Sequence, residues 1–184
     1  LEGFLFPDTY RIAPGSSAET IVKKFLENFK TKGLMSLIQA GGSENSAEFR
    51  YQDLIVASLI EREIPLEEDR RLVSGIIKKR LGLGMPLQID STVLYAKCHG
   101  IFDGCPPLTR KDFRIKSPYN TYFYKGLPPA PIANPGLAAL KAALNPQASE
   151  FLYYLSDVKT GKTIFSKTFE EHDAKRARYL DSEK

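Results

Sequence analysis

Apolar and polar positions alternate in several rhythms along the chain, and each rhythm predicts an element. LEGFLFPDTYRI mixes aliphatic and aromatic residues until Pro7 and Asp8 break the pattern, which predicts a short strand and a turn. Ser16 and Glu19 then form an S-x-x-E capping pattern ahead of Ile21, Val22, Phe25, Leu26 and Phe29, a stripe at helical spacing that ends near Gly33. Ala40 to Glu48 is a polar connector containing Gly and Ser. A second helix is expected from about Gln52 to Ile64, where IVASLI is built for burial and Pro65 cannot continue the hydrogen-bond ladder.

The third helix opens on Glu67, Glu68 and Asp69, carries Leu72, Val73, Ile76 and Ile77 on one face, and closes on Lys78, Lys79 and Arg80. That charge order complements the helix macrodipole, and Gly82 and Gly84 end the element. Asp90 or Ser91 is placed to cap a short helix through Val93, Leu94 and Tyr95. From Gly100 to Gly136 the chain is proline-rich and predicted to be irregular. LAALKAAL is another helix, FLYYLS and KTIFS flank a turn at Asp157 to Gly161 as a hairpin, and EEHDAKRARYL is a final polar helix. Strands do not alternate regularly with helices, so the expected class is α+β, with mixed helices and a small antiparallel sheet.

Composition changes this picture little. With 184 residues, 42% hydrophobic and 26% charged, the chain is sized for one domain and does not have a disordered composition. The net charge of +4 comes from 26 bases interleaved with 22 acids, a pattern of solvated mixed charge more than of a nucleic-acid footprint. Cys98 and Cys105 lie seven apart and can pair if geometry allows. With His99 and His172 they match no common zinc spacing. No phosphate loop, dinucleotide fingerprint or G-x-S-x-G elbow occurs. The chain opens at Leu1 and runs straight into a patterned segment, and it reads as an excised piece of a longer protein.

Three stretches carry candidate chemistry. In IVASLIEREIP, Glu61 and Glu63 lie two apart, so a helix turns them about 200° from each other and they cannot act from one side. Glu61 continues the row Leu54, Ala57, Ser58, whose small residues would leave room for a ligand, whereas Glu63 continues the bulkier Val56, Leu59, Ile60. A carboxyl at the edge of an apolar surface has a raised pKa, as a general acid requires. On pattern alone, both acids also read as end-of-helix charges paired with Arg62, Arg70 or Arg71, with Glu63 the structural one. In SPYNTYFYKGLPPAPIANPG, Tyr119, Asn120, Thr121, Tyr122 and Tyr124 combine aromatic faces with amide and hydroxyl groups, a mix suited to sugar rings. In MPLQIDSTVLY, capping accounts for Asp90 or Ser91 but leaves Gln88 as a site candidate.

Six segments in order, LEGFLFPDTY, ASLIERE, KKRLGLGMPLQIDSTVLY, SPYNTYFYKGLPPAPIANPG, LAALKAALNP and FSKTFEEH, resemble the endolytic murein transglycosylase (YceG-like) family over nearly the whole chain. The resemblance implies lytic cleavage of peptidoglycan strands between N-acetylmuramic acid and N-acetylglucosamine, leaving 1,6-anhydro ends. It implies one catalytic glutamate at the end of a core helix, a lysozyme-like placement, and selects Glu61 for it. Gln88, Asp90, Tyr119, Asn120 and Tyr122 are then the residues expected to bind the sugar. Metal and cofactor are not required, and nucleic acid is not an expected partner. The expected domain is 1–184, with a strand and helix over 1–40, a connector over 41–50 and the catalytic core over 51–184. The resemblance further implies a parent protein with a membrane anchor and a LysM-like region preceding this piece, a catalytic domain outside the bacterial inner membrane, and association with the cell-wall synthesis machinery. A non-catalytic peptidoglycan-binding module is the main competing reading, and a basic nucleic-acid-binding protein a weaker one. The chain departs from the family pattern at Lys79, where Asn is usual, and at Thr163, where His is frequent.

Overall fold

The computed structural model describes residues 1–35, 49–157 and 160–179. Its helices are α1 (Ala18–Asn28), continued by a π-helical turn (Phe29–Leu34), α2 (Tyr51–Glu63), α3 (Glu67–Gly82), α4 (Asp90–Lys97) and α5 (Leu137–Leu144). The hairpin strands β1 (Tyr153–Ser156) and β2 (Thr163–Ser166) follow, and α6 (Phe169–Tyr179) closes the described chain. Among the described residues, six helices and one two-stranded antiparallel sheet give the expected α+β class. The connector expected over Ala40 to Glu48 lies outside the described residues. No helix among the described residues is long and apolar enough to cross a membrane.

The core is built around α2. Every residue from Asp53 to Ile60 is buried, as expected of a helix with an apolar run and no polar face. α5 packs along α2 through Ala139, Leu140, Ala142 and Ala143, and α3 and α4 cover other sides. Leu54, Leu59 and Ile60 are fully buried, and such burial stabilises by about 1.5–3 kcal/mol per side chain. Asp53, itself buried, accepts the Arg50 N–H at 3.1 Å and so holds the start of α2. α3 ends in a Schellman motif: Met85 N–H donates to Arg80 C=O at 2.9 Å and Gly84 N–H to Leu81 C=O at 3.0 Å, with Gly84 at φ +64. Within α3, a Cβ on Gly75 would meet the Gln147 carbonyl at 1.9 Å, so the chain after α5 lies directly on the helix backbone there.

Local expectations shift in three places. The N-terminal strand does not form. Instead the chain turns at Gly3, and the Gly3 and Leu5 N–H groups both donate to Asn134 Oδ1, at 2.8 and 3.1 Å. α1 is capped by Ser17, which accepts the Thr20 N–H at 3.2 Å, because the Ser16 hydroxyl is turned to the Ala13 carbonyl. α4 begins after Ile89 without a side-chain cap, so neither Asp90 nor Ser91 performs that role. The hairpin has the register Tyr153 to Ser166 and Leu155 to Ile164. Cys98 and Cys105 form a disulfide that closes the turn after α4.

Candidate active site

The last turn of α2 sends its two acids to different neighbours. Glu61 Oε2 accepts the Gly136 N–H at 3.0 Å, just before α5, and lies 3.4 Å from Arg70 Nη1. The face that Glu61 continues is closed. Ala57 and Ser58 are fully buried, and the Ser58 hydroxyl donates to the Ile55 carbonyl at 2.7 Å and accepts the Ile132 N–H at 3.1 Å. The small side chains therefore admit the backbone of the 131–136 loop, and the ligand space expected over them is filled.

Glu63 faces a cavity of about 540 Å³ whose walls come from α2, α3, the approach to α4, the hairpin and α6. The arginine partner expected for Glu63 belongs to Glu61 instead. Glu63 Oε1 accepts the Ser91 N–H at 3.1 Å, one of the donors that the uncapped start of α4 leaves free. Burial pushes the Glu63 carboxyl above its ordinary value of 4.5, and the Asp90 charge adds to the rise. Hydrogen bonding from Ser91 and Tyr154 opposes it. Tyr154 is likewise pushed well above its ordinary range, first by burial and then by Glu63, so it stays a hydroxyl donor.

Three of the residues expected to bind sugar join Glu63 around the cavity: Gln88, Asp90 and Tyr122. Tyr122 donates to Asp90 Oδ1 at 2.5 Å, and its ring sits edge-on to Phe113 at 4.7 Å. Gln88 is held at φ +54, a left-handed backbone that costs a non-glycine residue on the order of 1–3 kcal/mol and often marks a functional position. Its N–H donates to the Thr121 carbonyl at 3.1 Å and its Oε1 accepts from Arg80 Nη2 at 2.7 Å.

Tyr119 and Asn120 are not brought to this cavity. Asn120 is fully buried; its Nδ2 donates to the Phe113 and Ile115 carbonyls and its Oδ1 accepts the Tyr122 N–H at 3.0 Å. It shapes the loop that presents Tyr122. Tyr119 packs its ring 4.6 Å from Tyr95 against the core.

Arg80, Tyr153, Tyr154, His172 and Arg176 also line the cavity and were not among the expected site residues. Arg80 left one legible signal. It continues the buried row Val73, Ile76, Ile77 of α3, where a charge is out of place. His172 and Arg176 come from one face of α6, and only the packing of that helix on the hairpin brings them here. Burial and the Arg176 charge hold His172 below its ordinary value, which favours a neutral ring.

The architecture defines a helix-rich α+β domain with a cleft built around one desolvated carboxyl, the kind of group that can act as a general acid near neutral pH. The chain belongs to the YceG-like family, whose model matches residues 1–178. It is 37% identical over 187 residues to the endolytic murein transglycosylase of Bacillus subtilis, covering 99% of this chain and 49% of that protein. It is 34% identical over 183 residues to the endolytic murein transglycosylase of Streptococcus pneumoniae D39, covering 99% of this chain and 33% of that protein. The crystal structure of a YceG-like protein from Listeria monocytogenes superposes with a TM-score of 0.77 at 38% identity, over 94% of this chain and 54% of that one. The chain thus spans between a third and about half of the length of these relatives.

Proposed function

We propose that this chain is the catalytic part of a peptidoglycan lytic transglycosylase that cleaves the β-1,4 bond between N-acetylmuramic acid and N-acetylglucosamine, and that Glu63 is its acid. The observation that carries the assignment is the position of Glu63: it is the desolvated carboxyl in the cavity, whereas Glu61 is tied to Gly136 and Arg70 beside a filled face. The relatives named for endolytic murein transglycosylase activity supply the substrate class.

The chemistry follows from one carboxyl that can both give and take a proton. Glu63, acting in its protonated form, donates to the glycosidic oxygen as the bond to the muramic acid anomeric carbon breaks. Positive charge develops on that carbon and its ring oxygen. The Glu63 carboxylate left behind accepts the proton of the same sugar's C6 hydroxyl, whose oxygen closes on the anomeric carbon to form the 1,6-anhydro ring. Glu63 ends protonated again, and water is not consumed. The Ser91 N–H, fixed at the start of α4, stabilises the transient carboxylate. In this reading Asp90, which accepts the Tyr122 hydroxyl, and the faces of Tyr122 and Tyr153 support the cationic sugar.

A cell-envelope location follows from that substrate. Anchoring through a segment outside this chain, and work alongside the cell-wall synthesis machinery, belong to the same proposal. Mass spectrometry of purified sacculi incubated with the protein tests it. Muropeptides ending in anhydro-muramic acid are the expected product, and binding without their release would leave a glycan-binding module.

A further inference from the structure

The acid chemistry leaves one wall of the cavity unused, and that wall is cationic. Arg80 is only 5% exposed, yet its guanidinium lines the cavity, 5.3 Å from the Tyr153 ring centroid. Its electrostatic neighbours include Tyr154, Tyr153, Tyr122 and His172. Gln88 Oε1 occupies Nη2, while the Arg80 Nε–H, buried, has no hydrogen-bond partner among the described residues. His172 lies in the same wall, stacked on Tyr153 at 5.3 Å, and its buried Nδ1 is also without a partner. Arg176 reaches the cavity from the next turn of α6, and its ion pair with Asp173 is loose, at 3.9 Å and largely exposed.

A buried guanidinium with an open N–H is costly unless something supplies the acceptor. Nε and an adjacent Nη form the edge of arginine that takes a carboxylate through two parallel bonds. Gln88 holds part of that edge with an exposed side chain, which a ligand can displace. We propose that Arg80, supported by Arg176 and His172, binds a carboxylate on the side branch of the muramic acid unit in the cavity where Glu63 acts. The inference rests on the peptidoglycan reading and sharpens it. Glucosamine units carry no carboxylate, whereas a muramic acid unit offers one on its lactyl group when bare, or on its peptide stem when substituted. Seating that group against Arg80 selects which of the two alternating linkages meets Glu63.

The test uses the intact protein carrying Glu63→Gln, so that binding is read without cleavage, and three glycan preparations. These are stem-bearing strands, denuded strands with free lactyl carboxylates, and denuded strands whose carboxyls have been converted to methylamides. The expected result is that at least one carboxylate-bearing strand binds about tenfold tighter than the methylamide strand, and which one does identifies the source of the carboxylate. Arg80→Gln brings that strand down to the methylamide level, and Arg176→Gln, on an exposed position that folding does not need, narrows the gap several-fold. Equal binding of all three strands overturns the inference. So does a uniform loss across them in Arg80→Gln, or an unchanged gap in Arg176→Gln. Anhydro-end release by the wild-type chain is scored separately. If it is absent from every strand the transglycosylase reading falls, whereas release without carboxylate preference defeats only the role of Arg80.

Discussion

Glu61 and Glu63 leave the same turn of α2, yet one carboxylate is consumed by Gly136 and Arg70 while the other is desolvated at a cavity of about 540 Å³. The difference lies in what packs on each side. On the Glu61 side, the 131–136 loop inserts its backbone against Ser58 and supplies N–H donors. On the Glu63 side, α4 starts without its own cap and the hairpin and α6 stand off, leaving a space walled by tyrosines and arginines. On the proposed reading one acid is therefore structural and the other chemically available, although both end the same core helix.

Apart from removing the acid itself, the largest effect expected is in the pH profile. Activity requires Glu63 protonated, so it holds below the raised Glu63 pKa and falls about tenfold per pH unit above it. Glu61→Gln is expected to leave the position of that fall unchanged, and a fall that moves with Glu61 would reverse the comparison. Next comes Ser58→Ala, which leaves the buried Ile132 N–H without its acceptor and costs about 1–3 kcal/mol by denaturant unfolding, with activity per folded molecule retained. Glu61→Gln itself is smaller, about 1 kcal/mol or less, because the Arg70 pair is long and partly exposed and a glutamine oxygen can still accept from Gly136.

The smallest effect carries the opposite sign. A carboxyl whose folded-state pKa is raised keeps its proton while the unfolded chain releases it, so folding stability falls as pH climbs above 4.5 toward the raised value. Glu63→Gln removes that penalty. Its Tm is expected to rise near neutral pH, and the gain should vanish below pH 4.5 in calorimetric scans. A gain that persists at low pH would mean that the glutamate is not desolvated as described.

The fold was legible wherever the hydrophobic rhythm was regular. α2, α3, α5 and the hairpin all lie where their apolar runs, stripes or alternations put them, and the polar α6 also forms where it is expected. The N-terminal strand was misread because its residues bind Asn134, 131 positions away from Gly3, a contact that local pattern cannot carry. The same limit governed the site. The helical period correctly separates the two glutamates, but α2 is buried on all sides, so small residues at 57 and 58 signal a close neighbour as readily as a cleft. That neighbour, Ile132, lies 74 residues further on. Gln88, Asp90 and Tyr122 were legible as polar or aromatic groups beyond what capping and packing needed, and Asn120 belongs to the loop brace instead. Arg80 could have been found as a charge on the buried stripe of α3. His172 and Arg176 depend on how α6 docks, and no local signal marks them.

The most direct measurement is release of anhydro-muramyl ends from purified sacculi by wild type, Glu61→Gln and Glu63→Gln proteins of matched folded concentration, quantified by mass spectrometry. The account predicts that Glu61→Gln keeps most of the activity, whereas Glu63→Gln loses it by about a thousandfold while retaining its cooperative melt. Anhydro ends from Glu63→Gln at the wild-type rate, with their loss in Glu61→Gln, would contradict it.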